Sequence, residues 1–182
     1  MTTTMNQSGP ERRRARISRQ QILETASHLL QEHGARGVSI RKIASLIPCA
    51  PPSIYYYFTN KEDILDALVE VPLGELIEAL DRVRLSSSEP QAILMAYARF
   101  WLERRSQMSL LFLPGHWGQQ SLFRHYRYRQ VEALIEEALG GDPLRAEGYL
   151  GLVNGLLFKI QNSDFPTERA IQMVDQTLKR VL

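Results

Sequence analysis

Along most of the chain the apolar positions recur every three to four residues, the period of a helix with one buried face. Ile22, Ala26, Leu29 and Leu30 form the first stripe, with Ser18 and Gln21 at the reciprocal positions of a capping box and Gly34 and Gly37 closing it. Ser39, a good N-cap, opens a second, narrow stripe of Ile40, Ile43, Ala44 and Ile47. Pro48 disfavours helix at Ile47, so this element is barely two turns. The third helix cannot start before Pro51 and Pro52, and the second ring biases Pro51 away from helical geometry, so Pro52 is expected at the first helical position. Ile54 and Phe58, four apart, face inward and leave Ser53, Tyr55, Tyr56 and Tyr57 on other faces. Helix restarts after Thr59 or Asn60 with Ile64, Leu65 and Leu68, and Pro72 is expected to kink or interrupt it.

The same period continues through 73–85, 91–105, a short piece at 107–113, then 119–139, 144–162 and 167–182, and no stretch alternates convincingly as a strand would. The pattern predicts an all-α protein of about nine helices. It divides into an arm over 1–16, a small helix-turn-helix domain over 17–68 and a helical domain over 69–182.

Charge sharpens that division. Residues 1–61 hold nine Lys/Arg against three acids, whereas 62–182 hold thirteen against seventeen. A basic head on an acidic body suggests a polyanionic partner for the head alone, the alternative being a solvated charge run. The arm carries Arg12, Arg13, Arg14 and Arg16 without apolar periodicity and reads as flexible.

Composition narrows the class further. Hydrophobic residues at 44% and charged residues at 23% are ordinary globular values. No apolar run approaches the roughly 18 residues of a membrane span, and no apolar segment follows the N-terminal charges as in a secretory signal. Cys49 is the single cysteine, so no internal disulfide can form, and no Cys/His cluster has zinc spacing. A soluble, cytoplasmic protein without metal or cofactor is expected. The chain has no P-loop, HExxH or nucleophile elbow, and the "GYLGLVNG" segment lies in a helical pattern with no strand before it, unlike a dinucleotide fingerprint. No enzyme is expected.

Residues 18–68 resemble the N-terminal domain of the TetR family of transcriptional regulators. The likeness runs through "IL..A..L..E.G", "SIRKIA", "SIYYYF" and "NKEDIL", linked motifs at the family's spacing across some fifty residues. It implies a third helix that enters the DNA major groove and ends in an aromatic run before a Lys-containing start to helix four. Pro51 and Pro52 would bring rigid apolar rings to thymine methyls, and Ser53, Tyr55, Tyr56 and Tyr57 would offer hydroxyls to phosphates. Lys61 sits where a helix N-terminus also favours phosphate, Arg41 matches a position that reaches guanine, and Ser39 caps and touches phosphate. Tyr55 as partial core and Tyr57 as a bridge between helices three and four are the structural alternatives. The arm either contacts minor groove or phosphates, or is plain disorder. Pro48 and Ala50 replace the Gly of the turn and the Ser or Thr usual before the recognition helix, which puts the turn's trajectory and that cap in question.

In the body, Gly148, Gly151 and Gly155 share one helix face at a cost of roughly 1 kcal/mol each against Ala, offset by the close approach of another helix or by room for a ligand. The resemblance implies a homodimer built from the last two helices, here with Gly148, Gly151, Gly155, Ile171, Val174 and Leu178. It also implies an apolar effector pocket among Tyr97, Trp101, Phe112, Trp117, Phe123, Tyr126 and Phe158, with His116, Gln119 and His125 as polar candidates; plain core is the alternative for each aromatic. The function expected is sequence-specific binding of double-stranded operator DNA by a repressor that a small molecule releases, with no membrane partner. A helical small-molecule-binding or scaffold protein without specific DNA binding is the alternative.

Overall fold

The computed structural model describes residues 17–47, 49–112 and 126–182; the arm, Pro48 and the segment carrying Gln119, His116 and His125 lie outside it. Among the described residues the chain is entirely helical. The order is α1 (Arg19–Gly37), α2 (Ile40–Leu46), α3 (Pro51–Tyr55), α4 (Lys61–Ser86), α5 (Pro90–Leu102), α6 (Arg105–Met108), α7 (Tyr126–Ala138), α8 (Pro143–Gln161) and α9 (Thr167–Val181), with a short 3₁₀ turn (Ser109–Phe112) after α6.

Local chemistry sets the boundaries. The Ser18 side chain accepts the Gln21 amide at 3.1 Å while the Gln21 side chain accepts the Ser18 amide at 3.0 Å, closing the capping box that opens α1. Gly34, at φ 63°, breaks the regular helix before a last turn to Gly37. A β-carbon at Gly37 would lie 2.2 Å from the His33 β-carbon, so only glycine fits that turn. Ser39 and Asn60 cap α2 and α4, accepting the amides of Lys42 at 3.2 Å and Asp63 at 2.8 Å.

Two boundaries differ from expectation. Helix α3 begins at Pro51, not Pro52, with Ala50 extended at φ −84° and ψ 146° as its N-cap and without a side-chain cap. Both rings supply helical φ, and both occupy positions whose N–H would have no helical acceptor, so the bias before the second ring is overcome. Helix α4 runs through Pro72 without interruption. Pro72 is buried beside Leu73 and Leu76, and this packing offsets the missing hydrogen bond.

Ile22, Ala26, Leu30, Ile43, Ile54 and Ile64 are fully buried beneath α1–α4 and form the core of the head. The body is organised around α5, whose Ile93, Leu94, Tyr97, Ala98, Phe100, Trp101 and Leu102 are all buried and which packs against α4, α6, α7, α8 and α9. A helix apolar on so much of its circumference belongs in the middle. Helix α9 gives its stripe of Ala170, Val174 and Leu178 to that centre, and Gln91 Nε2 donates to Asp175 at 2.8 Å across the same contact. Helix α4 spans head and body, while α1 also touches α6 and the 3₁₀ turn, giving the two parts a second connection. No described helix is long and apolar enough to cross a membrane.

Candidate nucleic-acid interface and the buried body cluster

The outer surface of the head follows from what α2 and α3 must bury. Ile43, Ala44 and Ile54 take the inward positions, which puts Arg41, Lys42, Pro51, Pro52, Tyr55 and Tyr56 outward. Tyr56 is 84% exposed and Tyr55 56%, an unusual position for two large rings on one five-residue helix and its cap. Ser39 and Ser53 are half-buried, and the Ser39 hydroxyl oxygen is engaged as the cap of α2. The carbonyl of Ala50 accepts the Ser53 amide at 2.9 Å, a backbone bond that starts α3 where no side-chain cap exists.

Tyr57 is placed differently from its neighbours. It is half-buried, its ring meets that of Tyr56 edge-on at 5.0 Å, and its hydroxyl donates to the carbonyl of Ile17 at 2.7 Å. That bond engages the hydroxyl's only proton, so Tyr57 joins the end of α3 to the start of α1. At the start of α4 the Asp63 carboxylate accepts the Thr59 amide at 2.8 Å while its own amide goes to Asn60. The amides of Lys61 and Glu62 are left as first-turn donors without helical acceptors, beside a half-buried Lys61.

In the body, the structure brings together Tyr97 and Trp101 from α5 and separates them from Tyr126 and Phe158, the other aromatic candidates among the described residues. Tyr97 and Trp101 are fully buried. Tyr126 is 57% exposed on α7, where its hydroxyl accepts from Arg127 Nε at 2.9 Å and donates to Glu70 at 3.3 Å, and Phe158 is 53% exposed on α8. Neither lines the interior with Tyr97: Tyr126 sits two residues before the buried Tyr128, on the opposite side of α7, and Phe158 follows the buried Leu157 round the helix. The Phe112 side chain, Trp117 and Phe123 lie outside the described residues.

Two residues that periodicity alone did not single out complete the buried cluster. The Tyr97 hydroxyl donates to Asn154 Oδ1 at 2.8 Å and lies 3.3 Å from the Tyr128 hydroxyl, which accepts from Asn154 Nδ2 at 3.3 Å. The available signal was Asn154 itself, a lone amide within the apolar run "GLVNGLLF". Burial, reinforced by Tyr128, holds the Tyr97 phenol well above its usual range, and burial pushes the Tyr128 phenol up to about 12. Both therefore stay neutral hydrogen-bonding groups at physiological pH. The Trp101 indole N–H, buried in the same region, has no hydrogen-bond partner among the described residues. A separate open groove of about 410 Å³ between α4 and α7 is lined by Ile77, Glu78, Asp81, Gln130, Leu134 and Glu137 and contains none of the aromatic candidates.

The glycine face of α8 also resolves physically. Gly148, Gly151 and Gly155 are exposed, and a β-carbon built on any of them meets nothing within 4 Å. Leu144, 79% exposed, and Phe158 stand at the two ends of that face. Val174 and Leu178, grouped with these glycines from sequence, are instead completely buried inside one copy of the chain. Their heptad-like spacing reports packing onto α5, and Ile171 beside them is half-buried against the same core. The inward stripe and the exposed face thus belong to different helices.

A small helix-turn-helix head with an exposed proline–tyrosine helix, carried on a larger helical body, defines a class of DNA-binding regulators by architecture. Residues 22–68 match the model of the bacterial regulatory proteins of the tetR family, which makes the head a domain of the tetR type. It is 31% identical over 153 residues to an HTH-type transcriptional regulator of Mycobacterium bovis, covering 79% of this chain and 64% of that one. It is 27% identical over 107 residues to an HTH-type nicotine-responsive transcriptional repressor of Paenarthrobacter nicotinovorans, covering 57% of this chain and 55% of the repressor. In fold it superposes on a transcriptional regulator from Rhodococcus with a TM-score of 0.72 at 18% identity, over 91% of this chain and 96% of that one. Against tetracycline repressor and fatty-acid regulator relatives, the chain spans only 26% and 31% of their lengths.

Proposed function

We propose that this protein is a dimeric transcriptional repressor that places α3 in the major groove of operator DNA and is released by a small molecule held in its helical body. The observation that carries the DNA reading is the outward face of Arg41, Pro51, Pro52, Tyr55 and Tyr56 on a basic head. Rings and hydroxyls on so short a helix suit thymine methyls and phosphates together, and Arg41 on the neighbouring helix suits guanine. Ser39, Ser53 and Lys61 flank that face as phosphate contacts. The exposed glycine face of α8, with Leu144 and Phe158 at its ends, supports a second copy docking there. Close approach of two helices needs small residues, and among the described residues of the same chain nothing lies within 4 Å of a β-carbon built on them. The buried Tyr97, Trp101 and Tyr128, with the half-buried Asn154 bonded to both phenols, support an effector read by hydrogen bonds within an apolar surround.

The test is selection of duplexes from a random library by the full-length protein, followed by titration of the recovered site. Near-palindromic enrichment, steep loss of affinity with salt and weakening by Tyr56→Ala are expected. Recovery of no preferred sequence would overturn the reading.

A further inference from the structure

Pro72 has no N–H to give the Leu68 carbonyl, so the turn of α4 that ends on it lacks one helical hydrogen bond and is where the helix bends most easily. Two arginines of the body grip α4 there. Arg127, in the first turn of α7, has its Nε 3.7 Å from a Glu70 carboxylate oxygen. The same Nε donates to the Tyr126 hydroxyl at 2.9 Å, which donates to Glu70 at 3.3 Å. The Arg127 guanidinium also lies against the bare backbone of Gly74, where a β-carbon would stand 2.8 Å from its Nη1. Glu70 and Gly74 are about one turn apart with Pro72 midway, so a single side chain holds both sides of the weak turn. On the next residue, Glu75 pairs with Arg104 at 3.1 Å, and the Arg104 guanidinium is seated 4.0 Å from the centre of the buried Phe100 ring. Glycine is a poor residue inside a helix, and the approach of Arg127 gives Gly74 a reason that the open α8 glycines do not share.

We propose that Arg127 is a positioning residue for operator binding, which clasps α4 at Glu70 and Gly74 across Pro72 and so fixes how far apart the two recognition helices of the dimer stand. The inference rests on the dimeric, major-groove reading above. From Lys61 to Pro72 the helix is a lever of roughly 16 Å that carries the head at its far end. A tilt of about 12° at the proline swings that end by roughly 3.4 Å, one base-pair step along the duplex. Without the clasp, the head is free to meet half-sites at more than one separation. The ion pair is partly exposed, at 32% for Arg127 and 42% for Glu70, and such pairs add little to fold stability. The clasp therefore acts on the geometry of the folded dimer rather than on unfolding.

The probe is the near-palindromic duplex that the full-length protein recovers from a random library, with two further versions in which one base pair is added or removed between the half-sites. Full-length protein, Arg127→Ala, Gly74→Ala and the double variant are titrated on all three, and their thermal midpoints are measured. In Gly74→Ala the new methyl displaces the tip of the arginine and leaves α4 in place. The unsubstituted protein is expected to lose at least about tenfold in affinity on either altered spacing, whereas each variant loses less than about threefold across the series. Preference for the half-site bases stays as it was, because α3 is untouched. The double variant should match Arg127→Ala alone, since both changes undo one clasp. If Arg127→Ala lowers the thermal midpoint, Gly74→Ala decides, because alanine strengthens the helix it enters. Variants that keep the spacing profile of the unsubstituted protein, or an unsubstituted protein indifferent to spacing, overturn the clasp while operator binding stands. A full-length protein that selects no duplex overturns the operator reading itself.

Discussion

At the scale of single residues, neighbours in "PPSIYYYF" are separated by burial. Ile54 is completely buried and Phe58 nearly so, whereas Tyr56 is 84% exposed. Tyr56→Ala should therefore reduce operator affinity by about 1–3 kcal/mol without lowering the thermal midpoint. Ile54→Ala should instead destabilise the fold by about 2–5 kcal/mol, and denaturant unfolding beside DNA titration separates the two effects. Arg41→Ala should weaken binding and relax base preference at one operator position, read by repeating the selection with the variant. Tyr97 and Tyr128 give a pH signature. Their phenols are held above the unfolded value near 10, with Tyr128 at about 12, so the folded protein keeps protons that the unfolded chain releases. Stability from this source is intact below pH 10 and falls as pH rises from about 10 toward 12, by about 1 kcal/mol per pH unit for each phenol. Tyr128→Phe should make alkaline unfolding shallower, and unchanged alkaline unfolding would contradict the burial argument.

At the scale of elements, α8 and α9 divide two tasks that periodicity merged. Helix α9 turns Ala170, Val174 and Leu178 into the chain's own core, so Leu178→Ala should lower protomer stability by about 2–5 kcal/mol in any oligomeric state. Among the described residues the α8 glycines have no such intramolecular neighbour. Gly151→Leu should leave the protomer's fold intact, since Leu is the better helix former by several tenths of a kcal/mol. A second copy docked on that face would be pushed away, giving monomers by light scattering and weaker operator binding. An unchanged dimer would move the interface elsewhere. Helix α4 is the converse case: Pro72 suggests two segments, but a buried ring between Leu73 and Val69 is better accommodated by one continuous helix.

For the whole molecule, the proposed function requires that a ligand in the body change the head. Helix α4 belongs to both, and α1 rests on α6 and the turn after it, so displacement of α6 or α4 reaches the recognition surface through packed side chains. On the proposed function, effector and operator binding would be coupled by roughly 1–3 kcal/mol, and operator DNA would weaken the effector by the same factor that the effector weakens DNA. Isothermal titration of a candidate effector with and without operator checks this. Equal affinity in both titrations would exclude that molecule as an inducer, because it shifts no conformational equilibrium.

The linear pattern was sufficient for the all-α class, the capped starts of α1, α2 and α4, and the TetR-like character of the head, because caps, apolar spacing and turn residues act over four residues or fewer. It also carried the order of helices in the head. Four features depended on contacts between distant segments. The hydrogen bond from Tyr57 to Ile17 joins residues 40 apart, and Tyr97 meets Asn154 across 57. Whether Val174 and Leu178 face a partner or their own core, and whether Pro72 breaks α4, were likewise settled by what packs alongside. A hydrophobic stripe specifies that a face will be buried; only the assembled fold decides against what.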